Sequence, residues 1–137
     1  MFDPALEQLR TAVEASPDSL ALHRVIRDAS GACVDLEVLF QSATAVTQTG
    51  FAADAVVGRR LLEVAPALAQ TERWRSYCRA ADSGERTRDE HVKVVGGEAC
   101  TIETTAVRIA DDVIAIWGRD ITEQARAPRR PTPRRAP

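Results

Sequence analysis

Five side chains of this 137-residue chain are the histidines and cysteines that zinc or haem iron would call for: His23, His91, Cys33, Cys78 and Cys100. No two of them stand at ligand spacing and no CxxC pair occurs, so the sequence offers neither a zinc nor a haem-iron centre. The adjacent acids Asp89-Glu90 and Asp111-Asp112 fall on a strand-like run and in a turn, where solvent exposure explains them. Paired catalytic carboxylates would have to converge in a pocket, and nothing in their placement shows that. There is no Gly-rich phosphate loop and no nucleophile with a plausible base.

Two other groups are suited to binding. Trp74, Tyr77, Cys78 and Ala81 recur at i, i+3, i+4 and i+7 and so share one helical face. Aromatic rings that carry an N–H or O–H offer apolar area with one directional contact, which suits a small organic ligand; the same stripe equally serves as core packing. Phe40, at the apolar end of an alternating strand, joins Trp74, Tyr77 and Cys78 as a pocket candidate. The second group is Arg119, Asp120 and Thr122, at the exit of the last strand. There an Asp carboxylate and a Thr hydroxyl can fix the departing backbone while Arg119 offers a cation for pairing, either as a plain strand-end cap or as a signal exit.

The elements that must position these groups are legible in the spacing. "FDPALEQLRTAVEAS" predicts a helix, with Asp3 as cap, Pro4 at the first position and Pro17 as the stop. Phe2, Leu6, Leu9 and Val13 make one narrow apolar stripe along it, a surface for self-association. "SLALHRVIRD" and "CVDLEVLFQ", separated by the turn "ASGA", predict a hairpin in which Val34, Leu36, Val38 and Phe40 share a face. Short helices punctuated by Gly50, Gly58 and Pro66 follow, then a long helix over 68–82 closed by Gly84. "TRDEHVKVV", "EACTIETTAVRI" and "VIAIWGRDIT" predict three more strands, the first two joined at Gly96-Gly97. The whole is an α+β domain: an antiparallel five-stranded sheet crossed on one face by helices, plus the N-terminal helix.

Composition suits one globular domain. Widely spaced cysteines in odd number and no signal-peptide pattern point to a cytoplasmic protein, and charges interrupt every apolar run before it reaches the roughly 20 residues of a membrane helix. The net charge of −2 hides an asymmetry, since every acid lies at or before Glu123 while Arg126, Arg129, Arg130, Arg134 and Arg135 close the chain. That Arg/Pro-rich tail predicts a disordered segment over 125–137, either solubilising or able to attract an acidic partner. So short a basic run is weak evidence for nucleic acid, which is not expected as a partner.

The stretches "RVIRDASGACVDLEVLFQSATAVTQTGFAADAVVGRRLLEVAP", "YCRAADSGE" and "VRIADDVIAIWGRDITEQ" together resemble the PAS sensory domains of bacterial signalling proteins. The ordered series of strand, Gly turn, strand, alanine-rich helix, hydrophobic-Gly-Arg step, helix and terminal Asp-Ile-Thr covers about 18–124. Ser42 stands where the family usually has an asparagine that contacts ligand or backbone, and is a pocket candidate on that ground. The resemblance implies that Asp120-Ile121-Thr122 couples the sheet to an output element. "VVGRRLLEV" lacks the cysteine of flavin photosensors, and the helix over 68–82 lacks the histidine of haem-binding oxygen sensors, so neither cofactor is expected; a small organic ligand is allowed.

The expectation is therefore a non-enzymatic sensory or protein-interaction module over 18–124, with a dimerisation element over 1–17, working as a homodimer and on a partner signalling protein in trans. Pro128, Pro131 and Pro133 would stop a helix leaving Thr122, which argues against rigid relay along the chain. The alternatives are a small α+β enzyme of the cone-shaped isomerase kind, with Tyr77 or an Asp as acid or base, and a small-molecule carrier.

Overall fold

A computed structural model describes residues 3–126. Phe2 of the apolar stripe and the tail from residue 127 onward lie outside the described residues. Helix α1 (Pro4–Ala15) starts at an Asp3 cap that accepts the Ala5 N–H at 2.9 Å. It buries none of its side chains. Strands β1 (Ser19–Arg27) and β2 (Cys33–Gln41) form the expected hairpin, its turn closed by Asp28 accepting the Ser30 and Ala32 N–H groups.

Short helices α2 (Ala43–Thr49), α3 (Ala53–Val56) and α4 (Leu61–Val64) lead to a 3-10 turn at Pro66–Gln70 and then to α5 (Glu72–Ser83). The helix expected over 68–82 is thus interrupted. Thr71 adopts extended geometry (φ −105°, ψ 155°) so that its Oγ1 can accept the Trp74 N–H at 3.1 Å, and this cap sets the start of α5 at Glu72. Strands β3 (Thr87–Val95), β4 (Glu98–Ala110) and β5 (Val113–Asp120) follow, and a final turn of helix, α6, spans Thr122–Arg126.

The strands make one antiparallel sheet in the order β2-β1-β5-β4-β3. Its inner face packs Val25, Leu36, Ala106, Ile114 and Ile116 against Leu68 and against Trp74, Tyr77, Ala80 and Ala81 of α5. The free edge of β2 is covered, because Gly58 and Arg59 exchange backbone hydrogen bonds with Val38 at 2.7 and 3.0 Å.

Two β-bulges interrupt the β1–β2 pairing. Leu22 opposes Phe40 while His23 opposes Val38, which leaves Leu39 as the extra residue. Side-chain direction has period two, so the insertion exchanges faces: Val38 points to the core, Phe40 lies beside Leu22 on the outer face, and Gln41, opposite Ala21, points inward. The expected common face of Val34, Leu36, Val38 and Phe40 is corrected accordingly. Val34 is itself the extra residue of the second bulge and is exposed.

Far from the chain ends, Arg27 ties the domain together. Its guanidinium donates to Asp82 at 3.1 Å, Asp112 at 3.2 Å and the carbonyls of Gly31, Ala81 and Asp111, so the β1–β2 turn, the end of α5 and the β4–β5 turn share one cation.

Candidate functional site

Between the inner face of the sheet and α2 to α5 lies a cavity of about 140 Å³. Its apolar lining comes from Val38, Val56, Leu61, Val64, Leu68, Ile102 and Ile116. Into this lining the strands and α5 introduce a few polar groups: His23 and Gln41 from the hairpin, Tyr77 and Arg73 from α5, Thr104 from β4, and His91 with Lys93 from β3. An apolar enclosure with sparse convergent polar groups is the usual form of a small-molecule site.

The polar groups are incompletely paired. His23 Nδ1, Gln41 Oε1 and His91 Nδ1 are buried without a hydrogen-bond partner. Burial lowers the His23 pKa to about 4, so the imidazole is neutral at neutral pH. His91 is likewise held down to about 4, chiefly by burial and the Arg73 charge, although Asp89 Oδ2 lies 3.4 Å from its Nδ1. Burial together with the two cations outweighs that carboxylate, and the contact is between a neutral ring and an acid rather than an ion pair. Burial and Arg73 also lower the pKa of Lys93. Burial pushes the Tyr77 phenol up to about 12, which leaves it a hydrogen-bond donor and a poor acid near neutrality.

His91 and Lys93 reach the cavity because the edge strand β3 is turned against simple hydrophobic patterning. Thr87, Asp89, His91 and Lys93 face the helices, while Val92 and Val94 face solvent at 71% and 70% exposure. Alternation shows that a strand has two faces; it does not say which face is inward when neither is strongly apolar.

Of the residues singled out from sequence, Tyr77 lines the cavity. Trp74 is buried in the core beside it and Cys78 is half-buried against the same cluster; neither is part of the wall. Phe40 is on the other face of the sheet, for the bulge reason given above. Ser42 is fully buried and works on the backbone: its Oγ accepts from Leu20 N at 3.0 Å and Ala45 N at 3.3 Å, and its N–H donates to Leu20 O at 2.9 Å. It caps α2 and pins it to β1. His23 and His91 line the cavity without any cysteine near enough to complete a metal set; among the described residues no group of three or more His, Cys, Asp or Glu side chains converges. Gln41, Arg73 and Lys93 carried no signal in the sequence, since each is of a type usually found at the surface.

The strand exit is built from β5 and its neighbours. Asp120 Oδ1 accepts the Thr122 N–H at 2.9 Å and also its hydroxyl, and Thr122 Oγ1 accepts the Thr101 N–H at 2.9 Å, so α6 is capped and held to β4. Arg119 pairs with Asp18, just before β1, at 3.2 Å. One residue earlier, Gly118 belongs to the cavity wall, where its carbonyl accepts from Ser19 Oγ at 3.3 Å. A side chain at 118 would collide with Ser19 and with Gln48 Oε1, 2.7 Å from the position of a Cβ. Cavity wall and strand exit are therefore consecutive residues of one strand.

Along α1, Leu6 and Leu9 are 65% and 62% exposed and Val13 is partly covered. The helix is held to α2 by Glu14, which accepts the Ala43 N–H at 3.0 Å, and by the Thr44 hydroxyl on Ser16 O at 2.7 Å. No helix among the described residues is long and apolar enough to cross a membrane.

A family model described as PAS fold matches residues 13–126. Among solved structures, the chain is similar to an RNA-binding light-oxygen-voltage receptor, with 18% identity, a TM-score of 0.64 and 91% of this chain aligned to 35% of that one. It thus spans about a third of that receptor. It is also similar to a domain of a sensory box sensor histidine kinase/response regulator from Geobacter sulfurreducens (20% identity, TM-score 0.58, covering 85% of this chain and 94% of that one). A third likeness is to the PAS domain of Bordetella pertussis BvgS (22% identity, TM-score 0.58, covering 90% of each). No curated protein matches the chain in sequence.

Proposed function

The chain belongs to the PAS fold family, a sensory and signalling fold, and on that footing we propose that it is a non-catalytic sensor that binds one small molecule and answers by changing its association with another protein. The observation that carries this reading is the cavity itself: an apolar enclosure into which His23 Nδ1, Gln41 Oε1 and His91 Nδ1 are buried without partners. An unsatisfied buried polar atom costs about 1–3 kcal/mol, so a ligand or ordered water that completes these groups is stabilising.

The residues present do not fit a flavin or a haem. A cavity of about 150 Å³ accommodates benzene, and this one is of that size, with no cysteine in its wall. The protein is expected to purify without a visible absorption band. Catalysis is not favoured either, because no carboxylate lines the cavity and Tyr77 is held protonated far above neutrality.

The route outward follows β5. A ligand that presses on Ser19, Gln48 or Gly118 acts on the residues next to the Asp18–Arg119 pair and the Asp120–Thr122 cap, and so on how α1 and α6 pack. A ligand with different affinity for two such packings shifts their populations. The partner at α1 is a second copy of the chain. A 12-residue helix is marginal on its own, and pairing about a two-fold axis would cover Leu6 and Leu9. A signalling protein in trans would then read the changed surface.

Native mass spectrometry of protein purified from its own host tests the proposal. A retained organic molecule of defined mass supports it; a clean apo mass, with no stabilisation by any member of a metabolite panel, overturns ligand sensing and leaves an interaction module.

A further inference from the structure

The cavity does not close evenly. Arg73, His91 and Lys93 line it from within, and the same three residues line a more open cleft on the protein's outside together with Thr71, Glu72, Asp89, Glu90 and Val92. They are the partition between interior and solvent, and therefore the mouth. Away from these three, the wall includes the apolar side chains of Val38, Leu68 and Ile116. A molecule entering here would leave its head among the basic groups and its body on the apolar floor.

The charges at the mouth are unbalanced. Burial, and after it the Arg73 guanidinium, depresses the Lys93 ammonium pKa, and both cations line the same opening. Of the three acids lining the cleft, Glu72 pairs with Arg75, Glu90 is exposed on the solvent-facing side of β3, and Asp89, its Oδ2 buried beside His91 without a hydrogen-bond partner, is the one carboxylate on the inward side, facing the two cations Arg73 and Lys93. Two like charges held together at a partly dehydrated opening are costly unless an anion joins them. His91 Nδ1, buried without a hydrogen bond, adds a neutral donor in one tautomer.

Resting on the sensor reading above, we propose that the ligand is a small carboxylate with a compact apolar body about the size of one six-membered ring, its carboxylate held by Arg73 and Lys93 and its body against Leu68 and Ile116. The cavity volume of about 140 Å³ sets the upper size, since a benzene-sized body fills such a space and a long acyl chain does not enter it. Planar guanidinium recognition of a carboxylate supplies the orientation, and the single apolar floor supplies the selection against small hydrophilic acids such as acetate.

Benzoate, cyclohexanecarboxylate and phenylacetate, with benzamide and acetate as controls, test this by isothermal titration and thermal shift at fixed ionic strength. At least one of the three ring carboxylates is expected to bind, with ring protons showing nuclear Overhauser contacts to the Leu68 and Ile116 methyl groups. Benzamide and acetate are expected to bind about tenfold or more weakly than the best of them, the equivalent of one charge-assisted hydrogen bond. Arg73→Gln and Lys93→Met should each lose a similar factor for the carboxylate and leave benzamide unchanged. Equal binding of benzamide and benzoate, full affinity in both variants, or no binding by any of the three acids overturns the proposal. If a neutral molecule binds instead, the anion assignment falls and the sensor reading stands; if neither binds and nothing is retained from the host, both fall.

Discussion

Arg119 Nη2 lies 3.2 Å from Asp18 Oδ2, joining two residues 101 positions apart in sequence. The segment that leads from α1 into the sheet and the strand that leads out of it are thereby fastened at one point on the surface, directly beside the cavity wall at Gly118 and Ser19. Exposed pairs of this kind contribute little to global stability. Their local effect is on which segments move together.

Arg119→Ala is accordingly expected to leave the melting temperature almost unchanged while increasing amide hydrogen exchange in α1 and α6. Unaltered exchange in both helices would show that the pair does not couple the two ends.

His23 gives the domain a definite acid response. Its pKa is lowered to about 4 in the folded protein against 6.5 when exposed, so between those values the unfolded chain binds the extra proton. The stability associated with the neutral ring is whole above pH 6.5 and is lost as pH falls toward 4, on the order of 3 kcal/mol in total. Urea unfolding of the parent should lose stability through this window more steeply than His23→Gln. Parallel curves would mean that His23 is not the group responsible.

Leu6→Asp combined with Leu9→Asp is expected to convert a dimer into a folded monomer by light scattering, because both side chains project from a helix that buries nothing of its own. A parent that is monomeric at high concentration removes the dimer and assigns the stripe to another partner.

At Gly118 the missing side chain is structural space for Ser19 and Gln48. Gly118→Ala should cost about 1–3 kcal/mol by overpacking and reduce ligand retention with it. An alanine variant as stable as the parent would show that Gln48 can swing aside at no cost.

Arg27→Lys tests whether geometry or charge holds the far end of the domain. Five acceptors surround one planar fork, so an ammonium can serve only some of them, and a loss of about 2–3 kcal/mol is expected, close to that of Arg27→Met. Full stability in the lysine variant would reduce the network to a simple counter-charge.

The five strands and their order of appearance were legible because each run has period-two spacing and ends in a turn residue whose chemistry is local, such as Asp28 or Gly97. The site was legible only in part. Tyr77 could be found, since a helical stripe states its own face. Gln41 could not, because its direction depends on an extra residue two positions earlier, visible only in the pairing with β1. Lys93 and His91 were hidden by an edge strand that turns its valines to water. Arg73 stands one position before the apolar stripe of α5 and carries no mark separating it from the solvent-facing arginines Arg75 and Arg79.

The bulge at Leu39 also fixes which genetic changes the site can absorb. Substitutions at Phe40 or Gln41 alter one side chain where it already points. Deleting Leu39 would bring Phe40 directly after Val38 and remove the bulge while leaving Val38 inward, Phe40 outward and Gln41 inward, the faces they already hold. Loss of one codon at this point of β2 is therefore a smaller step for the cavity wall than replacement of Gln41, and a chain lacking the extra residue should present the same lining there.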